Sequence, residues 1–537
     1  MAIIGIDLDN TVICYEQIFD GYLQDLAITR LEDYSLKDSL KTALIAADKS
    51  EYRWQKIQGE VYGERMHSAV LFPGFMRFLL TAITKGDKLI FISHKTKFGH
   101  HDQKKINLRE VANEWLEKNI FVELSDSSCF LNERVIYADT REEKIDAIKR
   151  MNCDIFIDDL PEVLFDEKFP VEVKKLLFSS NAVSNIDQSI FSTWNEIREF
   201  LYSPLNDVDI KNILHYKFAD LKIDKVEIVR VGVNSSVAKI QSTDACCYAL
   251  KMYPDFQGDF RSRLKVEWYA LEKLYENKFL VPKPIASNLS MNWGIYEWLD
   301  GHLRPVHNEE FLIKAINFII EIQNNKKIVD SFDKKYLASE ACLSSKDLIN
   351  QIFYRLSVFK KIPLSENLTT FFKDEFEILF TQLFQEKSKF IEKFIEPLPF
   401  KYQILSPSDF GSHNMIMSNS GNTYVYDFEY FGWDDPVKLA ADFYWHPGME
   451  LSDILRAKWL LIVKESFKKD PEFAARLDAM LPFYGLKWCL IILNIFKAPP
   501  VNWALNSYKK EIDLDPIRTE QFNKAKILLT KIREIYG

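Results

Sequence analysis

Between residue 1 and about residue 200, the chain alternates short, nearly unbroken apolar runs with stretches of helical period. The runs are Ile3–Ile6, Leu89–Ile92, Val135–Tyr137 and Ile155–Ile157. Unbroken apolar strands separated by helices predict a parallel sheet covered on both faces. Residues about 12–70 interrupt the alternation with a helical insert that closes at the Phe72-Pro73-Gly74 turn. A join is predicted at Ser203-Pro204-Leu205-Asn206-Asp207, where the pattern changes. Val226–Val231 and Val237–Ile240 then predict strands flanking a Gly/Asn/Ser turn, and Tyr248–Tyr253 predicts a third strand. Beyond about 305 the pattern is mainly helical, except for a hairpin near 414–427. The expectation is an α/β domain over 1–203 with a helical cap, a linker over 204–222, and an α+β domain over 223–537 with a small sheet lobe and a larger helical lobe. The two domains are expected to fold separately.

Length supports this division, since 537 residues exceed one ordinary core. A net charge of −9 argues against broad charge-driven binding to nucleic acid or acidic membrane. The seven cysteines, Cys14, Cys129, Cys153, Cys246, Cys247, Cys342 and Cys489, contain no C-x-x-C pair, so reduced thiols in a cytosol are expected. Asp7 comes too early for a signal-peptide apolar stretch. The apolar run Trp488–Phe496 reads as too short to span a bilayer. A cytoplasmic protein with no membrane partner is therefore expected.

The first candidate site begins where Ile3-Ile4-Gly5-Ile6 runs into Asp7-Leu8-Asp9-Asn10-Thr11. A buried strand ending in two carboxylates two residues apart places them at the carboxyl edge of the sheet, where open α/β folds bind ligands. A second strand ends in Ser93, followed by His94 and Lys95, and another in Asp158-Asp159. Thr140-Arg141-Glu142-Glu143 reads as a capping box that sets Lys144 in the first turn of a helix, with Lys149 as an alternative. Asp7 can attack phosphorus, and Asp9 can protonate the leaving oxygen and then activate water. Four converging carboxylates call for a magnesium ion, and Ser93 and Lys144 can hold phosphoryl oxygens. His94, His100 and His101 are either substrate contacts or surface histidines.

This set resembles the haloacid dehalogenase-like hydrolase superfamily, with all four motifs in order across about 200 residues. The resemblance implies a Rossmann-like phosphatase domain with Asp7 as nucleophile and Asp9 as acid/base. It implies magnesium held by Asp7, the Asp9 carbonyl and one or both of Asp158 and Asp159, under a cap that selects substrate.

The second candidate site begins at Lys251. Alternation puts Leu250 and Met252 on one face of their strand and Lys251 on the other. Glu267 falls on the apolar stripe of the following helix with Leu264 and Leu271. A carboxylate there calls for a cation, and Lys251 is the natural partner. Such a pair holds ATP phosphates in kinases. Downstream, Asp409-Phe410-Gly411-Ser412-His413-Asn414 leads into a hairpin whose open end brings Asn414 to Asp427. That pair suits magnesium bridging ATP phosphates, with Asp409 placed to receive a hydroxyl proton.

These residues, and Tyr426-Asp427-Phe428-Glu429-Tyr430-Phe431-Gly432-Trp433-Asp434-Asp435-Pro436 above all, resemble the aminoglycoside phosphotransferase and choline kinase family, a branch of the two-lobed protein-kinase-like fold. The resemblance covers about 225–450. It implies Asp409 as catalytic base, Asn414 and Asp427 as metal ligands, Lys251 with Glu267 as phosphate clamp, and a hinge at Tyr296–Leu299, including Glu297 and Trp298, near adenine. Pro407 stands where the family has a histidine. The segment Arg230–Ser236, including Asn234 and Ser235, is either a nucleotide loop or a plain hairpin. Trp433, Asp434 and Asp435 are either substrate contacts or turn residues.

The expected function is a bifunctional, magnesium-dependent phosphatase and ATP-dependent kinase for small phosphorylated and hydroxylated metabolites, sugars or polyols first. Nucleic-acid end repair also pairs these activities, but its kinase usually carries a G-x-x-x-x-G-K-[ST] loop, which is absent here. A binding protein with a silent kinase half is a third reading, opposed by Lys251, Asp409, Asn414 and Asp427.

Overall fold

The computed structural model describes the chain apart from residues 29–34, 102, 125–129, 180–189, 203–204, 232–234, 255–261, 304–305 and 498–513. Ser203, Pro204, Asn234 and Cys129 therefore lie outside the described residues.

The first part is built on a parallel sheet of six strands. These are β1 (Ile3–Ile6), β4 (Lys88–His94), β5 (Phe130–Ala138), β6 (Ile155–Asp158), β7 (Lys174–Phe178) and β8 (Ile190–Phe191), in the order β5-β4-β1-β6-β7-β8. A two-residue ladder, β2 (Ile13–Cys14) against β3 (Val70–Leu71), ties off the cap insert. The insert is α1 (Glu16–Asp25), α2 (Leu36–Asp48) and α3 (Tyr52–Tyr62). Four helices follow in the body of this half: α4 (Phe75–Thr84), α5 (Leu108–Asn119), α6 (Arg141–Arg150) and the short α7 (Pro161–Leu164). Two more, α8 (Trp194–Tyr202) and α9 (Asp207–Lys217), flank the join. Ile6 pairs with Phe91 on one side and Ile157 on the other, so Asp7, Ser93 and Asp158 leave the sheet at one edge. β7 and β8 were not foreseen: one opens with Lys174-Lys175 and the other has two residues, too few to show a period.

The second part opens with an antiparallel sheet in the order β12-β13-β11-β10-β9. Its strands are β9 (Ile223–Val231), β10 (Ser236–Ser242), β11 (Cys247–Met252), β12 (Pro284–Asn288) and β13 (Trp293–Glu297). α10 (Arg263–Glu276) lies against β12 and β13. β14 (Gly301–Leu303) joins the expected hairpin of β16 (Met415–Ser418) and β17 (Thr423–Val425). An unforeseen ladder pairs β15 (Ile404–Ser406) with β18 (Gly432–Asp434) across the hairpin. The remainder is mainly helical, and one large apolar cluster fills it, with Trp445, Trp459 and Tyr484 fully buried.

One expectation is corrected. The apolar run at Trp488 belongs to a helical stretch of 24 residues, Phe473–Phe496, whose most apolar 18 residues have mean hydropathy 1.6, long and apolar enough to cross a membrane. Helical continuity through Pro482 extends the run beyond what its sequence shows. Of that apolar stretch 72% is buried inside the protein, and Trp445 donates its indole N–H to the Leu481 carbonyl within it. Buried packing also crosses the join. One apolar cluster runs from β1 and β4 through α4, α8 and α9 into one face of the five-stranded sheet. The two parts therefore share buried apolar surface.

Candidate active sites

At the edge of the parallel sheet, the Asp7 N–H donates to the Ile157 carbonyl at 2.9 Å, locking the β1 end against β6. Asn10 turns the chain back at φ 61°, a left-handed conformation that asparagine tolerates. Thr140 caps α6 by accepting the Glu143 N–H at 3.1 Å. The box closes one residue early, with Glu143 accepting from the Asp139 N–H at 2.8 Å. Lys144 in the first turn is fully buried, while Lys149 stays exposed in the last turn. Lys144 Nζ lies 2.7 Å from both Asp7 Oδ1 and Asp158 Oδ2. Lys149 is thereby set aside.

Asp7, Asp9, Ser93, Lys144 and Asp159 line a cavity of about 320 Å³, roofed by Lys37, Gln55, Gln58 and Tyr62 of the cap. Asp158 is fully buried behind it, holding Lys144 and accepting the Leu160 N–H at 3.0 Å. His94 and His100 reach the cavity wall. His101 instead bonds Gln55 at 3.1 Å and packs against Tyr52. Two partners of Asp9 were not foreseen. Lys95 is buried and holds Asp9 at 3.0 and 2.8 Å, and the Tyr15 hydroxyl donates to Asp9 at 2.6 Å. No motif announced either one; only a carboxylate needing partners marks them.

Burial pushes the Asp7 carboxyl up to about 7 against the pull of Lys144, with the Asp158 and Asp9 charges adding to the rise. Burial likewise raises Asp159 well above the carboxylate range, with Asp7 and Asp158 adding to it. Ligand oxygens of Asp7, Asp158 and Asp159 all lie within 4.8 Å of one another. The Ser93 hydroxyl is buried without a hydrogen-bond partner. Crowded carboxylates fit a hard divalent cation, and an unpartnered buried donor beside them fits a phosphoryl oxygen.

The second site gathers residues from both lobes. Lys251 Nζ lies 2.6 Å from Glu267 Oε2, 2.7 Å from Asp427 Oδ1 and 3.2 Å from Glu429 Oε2. Burial would lower the Lys251 pKa, but Asp427, Glu267 and Glu429 together hold it well above the usual value. Burial pushes Glu267 up to about 7 despite Lys251. The Tyr253 hydroxyl donates to Glu267 at 2.7 Å, and Arg263 reaches Glu429 at 2.9 Å. Ligand oxygens of Glu267, Asp427 and Glu429 lie within 4.8 Å of one another, drawn together around the Lys251 ammonium.

Asn414 closes the hairpin: its carbonyl accepts the Tyr426 N–H at 3.0 Å, and its amide donates to the Asp409 carbonyl at 2.9 Å. Asp427 follows β17 at φ 70°. Asp409 is gripped by His413 at 2.9 Å, and His446 Nε2 lies at 3.7 Å. The two imidazoles stack at 3.9 Å. Burial would raise Asp409, but the His413 hydrogen bond and the neighbouring imidazoles hold it well below the usual carboxylate range. Neither histidine was foreseen as a partner of Asp409; His413 follows it in the loop that carries Pro407, and His446 caps the end of the helix Pro436–Trp445. Ser408, at φ 67°, is fastened by Lys438, whose Nζ donates to its hydroxyl at 2.7 Å.

Glu297 accepts from the Lys283 N–H at 3.1 Å, and Trp298 donates to Asp300 at 2.9 Å. Ser235 is half-buried just before β10. Asp434 and Asp435 are fully buried; Lys438 lies 3.3 Å from Asp434 and Arg476 2.7 Å from Asp435. Trp433 packs on Phe400, so all three serve the fold.

No family model matches the chain, and no curated protein matches it. Among solved structures it is similar to choline kinase LicA from Streptococcus pneumoniae, at 14% identity and TM-score 0.38, over 60% of this chain and 99% of that one. It is similar to the Plasmodium vivax ethanolamine kinase Pv091845, at 14% identity and TM-score 0.40, over 65% and 95%. It is also similar to spectinomycin phosphotransferase APH(9)-Ia, solved with ADP and spectinomycin, at 13% identity and TM-score 0.41, over 61% and 98%. These likenesses are distant, and the assignments that follow rest on site geometry.

Proposed function

We propose that the chain is a bifunctional enzyme, a phosphatase in its first part and an ATP-dependent small-molecule kinase in its second. The observation that carries the reading is convergence. Lys144 meets Asp7 across 137 positions, and Lys251 meets Asp427 across 176. Each buried lysine sits among carboxylates that chemistry at phosphorus requires.

In the phosphatase, Asp7 attacks phosphorus and carries the phosphoryl group until water releases it. Asp9 exchanges the proton of the leaving oxygen and of that water, with Lys95 and Tyr15 fixing its orientation. Lys144 and Ser93 hold phosphoryl oxygens. Asp7 and Asp159, with the Asp9 carbonyl, would hold magnesium, which neutralises the crowded carboxylates and the substrate's charge. The roof, with its amides and Lys37, suits a small hydroxylated phosphomonoester such as a sugar or polyol phosphate.

In the kinase, Lys251, braced by Glu267, grips ATP phosphates, and Asn414 and Asp427 would hold the accompanying magnesium. Asp409 orients the acceptor hydroxyl and takes its proton late, as suits a carboxylate of depressed basicity and a loose phosphoryl transition state. His413 and His446 hold Asp409 in place. The test uses the full chain: magnesium-dependent hydrolysis of p-nitrophenyl phosphate, and calorimetric binding of magnesium–ATP. Hydrolysis lost in Asp7→Asn and ATP binding lost in Lys251→Ala support the two assignments. Wild-type protein inert in either assay removes the corresponding half.

A further inference from the structure

The five-stranded sheet has two faces with different partners. Lys251 points toward Glu267 on α10. Ala238, Ile240, Leu250, Met252, Trp293 and Ile295 share the other face by strand alternation and are buried in the apolar cluster that includes α4. α4 is buried from Phe75 to Ile83, and its single cation, Arg77, is 8% exposed.

Arg77 reaches into the second part. Its Nε donates to the Met291 carbonyl at 2.9 Å, and Nη2 donates to the Tyr253 carbonyl and, at 3.4 Å, to that of Asn292. These carbonyls sit just past β11 and in the turn between β12 and β13, which are themselves joined by the Tyr253 N–H donating to Asn292 at 3.0 Å. The same Tyr253 bonds Glu267 at 2.7 Å and the Tyr296 hydroxyl at 2.7 Å through its side chain. A continuous path therefore runs from the phosphatase half through Arg77 and Tyr253 to the Glu267–Lys251 pair.

We propose that Arg77 is a positioning residue for the kinase, pinning the Tyr253 backbone so that its hydroxyl orients Glu267 and Glu267 orients Lys251 toward nucleotide phosphates. This rests on the reading of Lys251 and Glu267 as a phosphate clamp. Charged donors give the stronger hydrogen bonds, and buried carbonyls left without donors shift to find others. The phosphatase half thus supplies a structural part of the kinase site, which gives the fusion a physical purpose beyond tethering.

Calorimetry on the full chain tests this with magnesium–ATP and, separately, adenosine. Arg77→Met should bind magnesium–ATP about tenfold more weakly, the loss of one charge-assisted contact's worth of positioning. Adenosine affinity should hold within about twofold, because it lacks the phosphates the clamp grips. Arg77→Lys should fall between. Since Arg77 acts through Tyr253, Arg77→Lys combined with Tyr253→Phe should lose no more than Tyr253→Phe alone. Unchanged magnesium–ATP affinity in Arg77→Met overturns the inference, and so does an equal loss for adenosine, which marks general loosening of the lobe. If Arg77→Met fails to fold, additive losses in the Lys/Phe pair overturn it instead. A wild-type chain that binds no magnesium–ATP removes the clamp reading and this inference together, a separate outcome.

Discussion

Replacing Lys144 by methionine keeps the length of the side chain and removes its charge. The lysine is fully buried and lies 2.7 Å from two carboxylates, Asp7 and Asp158. Breaking a buried ion pair by removing one partner destabilises by about 3–5 kcal/mol. For a domain of 150–250 residues that lowers Tm by about 6–20 °C. The loss should depend on pH. Burial already pushes the Asp7 carboxyl up to about 7, and Lys144 is what opposes it. A carboxyl raised in the folded state contributes stability below its unfolded value, and that contribution is lost as pH rises through the folded value. Without Lys144 the folded value rises further. Protonation of Asp7 then relieves the site at pH 5.5 but not at pH 8.5, where each further tenfold gain in proton affinity costs about 1.4 kcal/mol. Magnesium at a hundredfold over its Kd should restore about 2.7 kcal/mol by mass action. Calorimetric scans of the full chain at both pH values, with EDTA or magnesium, read all three effects. A Tm drop equal at the two pH values and untouched by magnesium would refute the reasoning.

Asp7→Asn should abolish p-nitrophenyl phosphate hydrolysis, and beryllium fluoride should inhibit the wild type; full turnover in the variant would remove the nucleophile. Asp409→Asn should keep magnesium–ATP affinity while transfer to an acceptor falls about a hundredfold or more, whereas Asp427→Ala should lose affinity as well; calorimetry beside a transfer assay separates them. A fragment of residues 205–537 should bind a hydrophobic dye and unfold at lower temperature than the full chain, because Leu250, Met252 and Trp293 lose the cover of α4. A fragment as stable and as dye-silent as the full chain would show that the shared cluster contributes little.

Local pattern was enough to find the residues that gather at the two candidate sites. The run Ile3–Ile6 forms β1, so the two aspartates that follow it reach the sheet edge whatever the rest of the chain does. Alternation put Lys251 opposite Leu250 and Met252, and the spacing of Asp409, Asn414 and Asp427 around a short turn needed only a hairpin to bring them near one another. These follow from the periods of strand and helix and from turn geometry, which act over a few residues. Pairings across the chain have no period. Tertiary packing decided that Lys144 and not Lys149 turns inward, and that Asp159 faces the cavity while Asp158 anchors the lysine. It also brought Lys95 to Asp9, His446 to Asp409 and Arg77 to the second sheet. Each is a charged or polar group carried out of water by the apolar surface around it. Its partner is set by which buried group lies within reach after the layers pack, and no local stretch of sequence contains that distance.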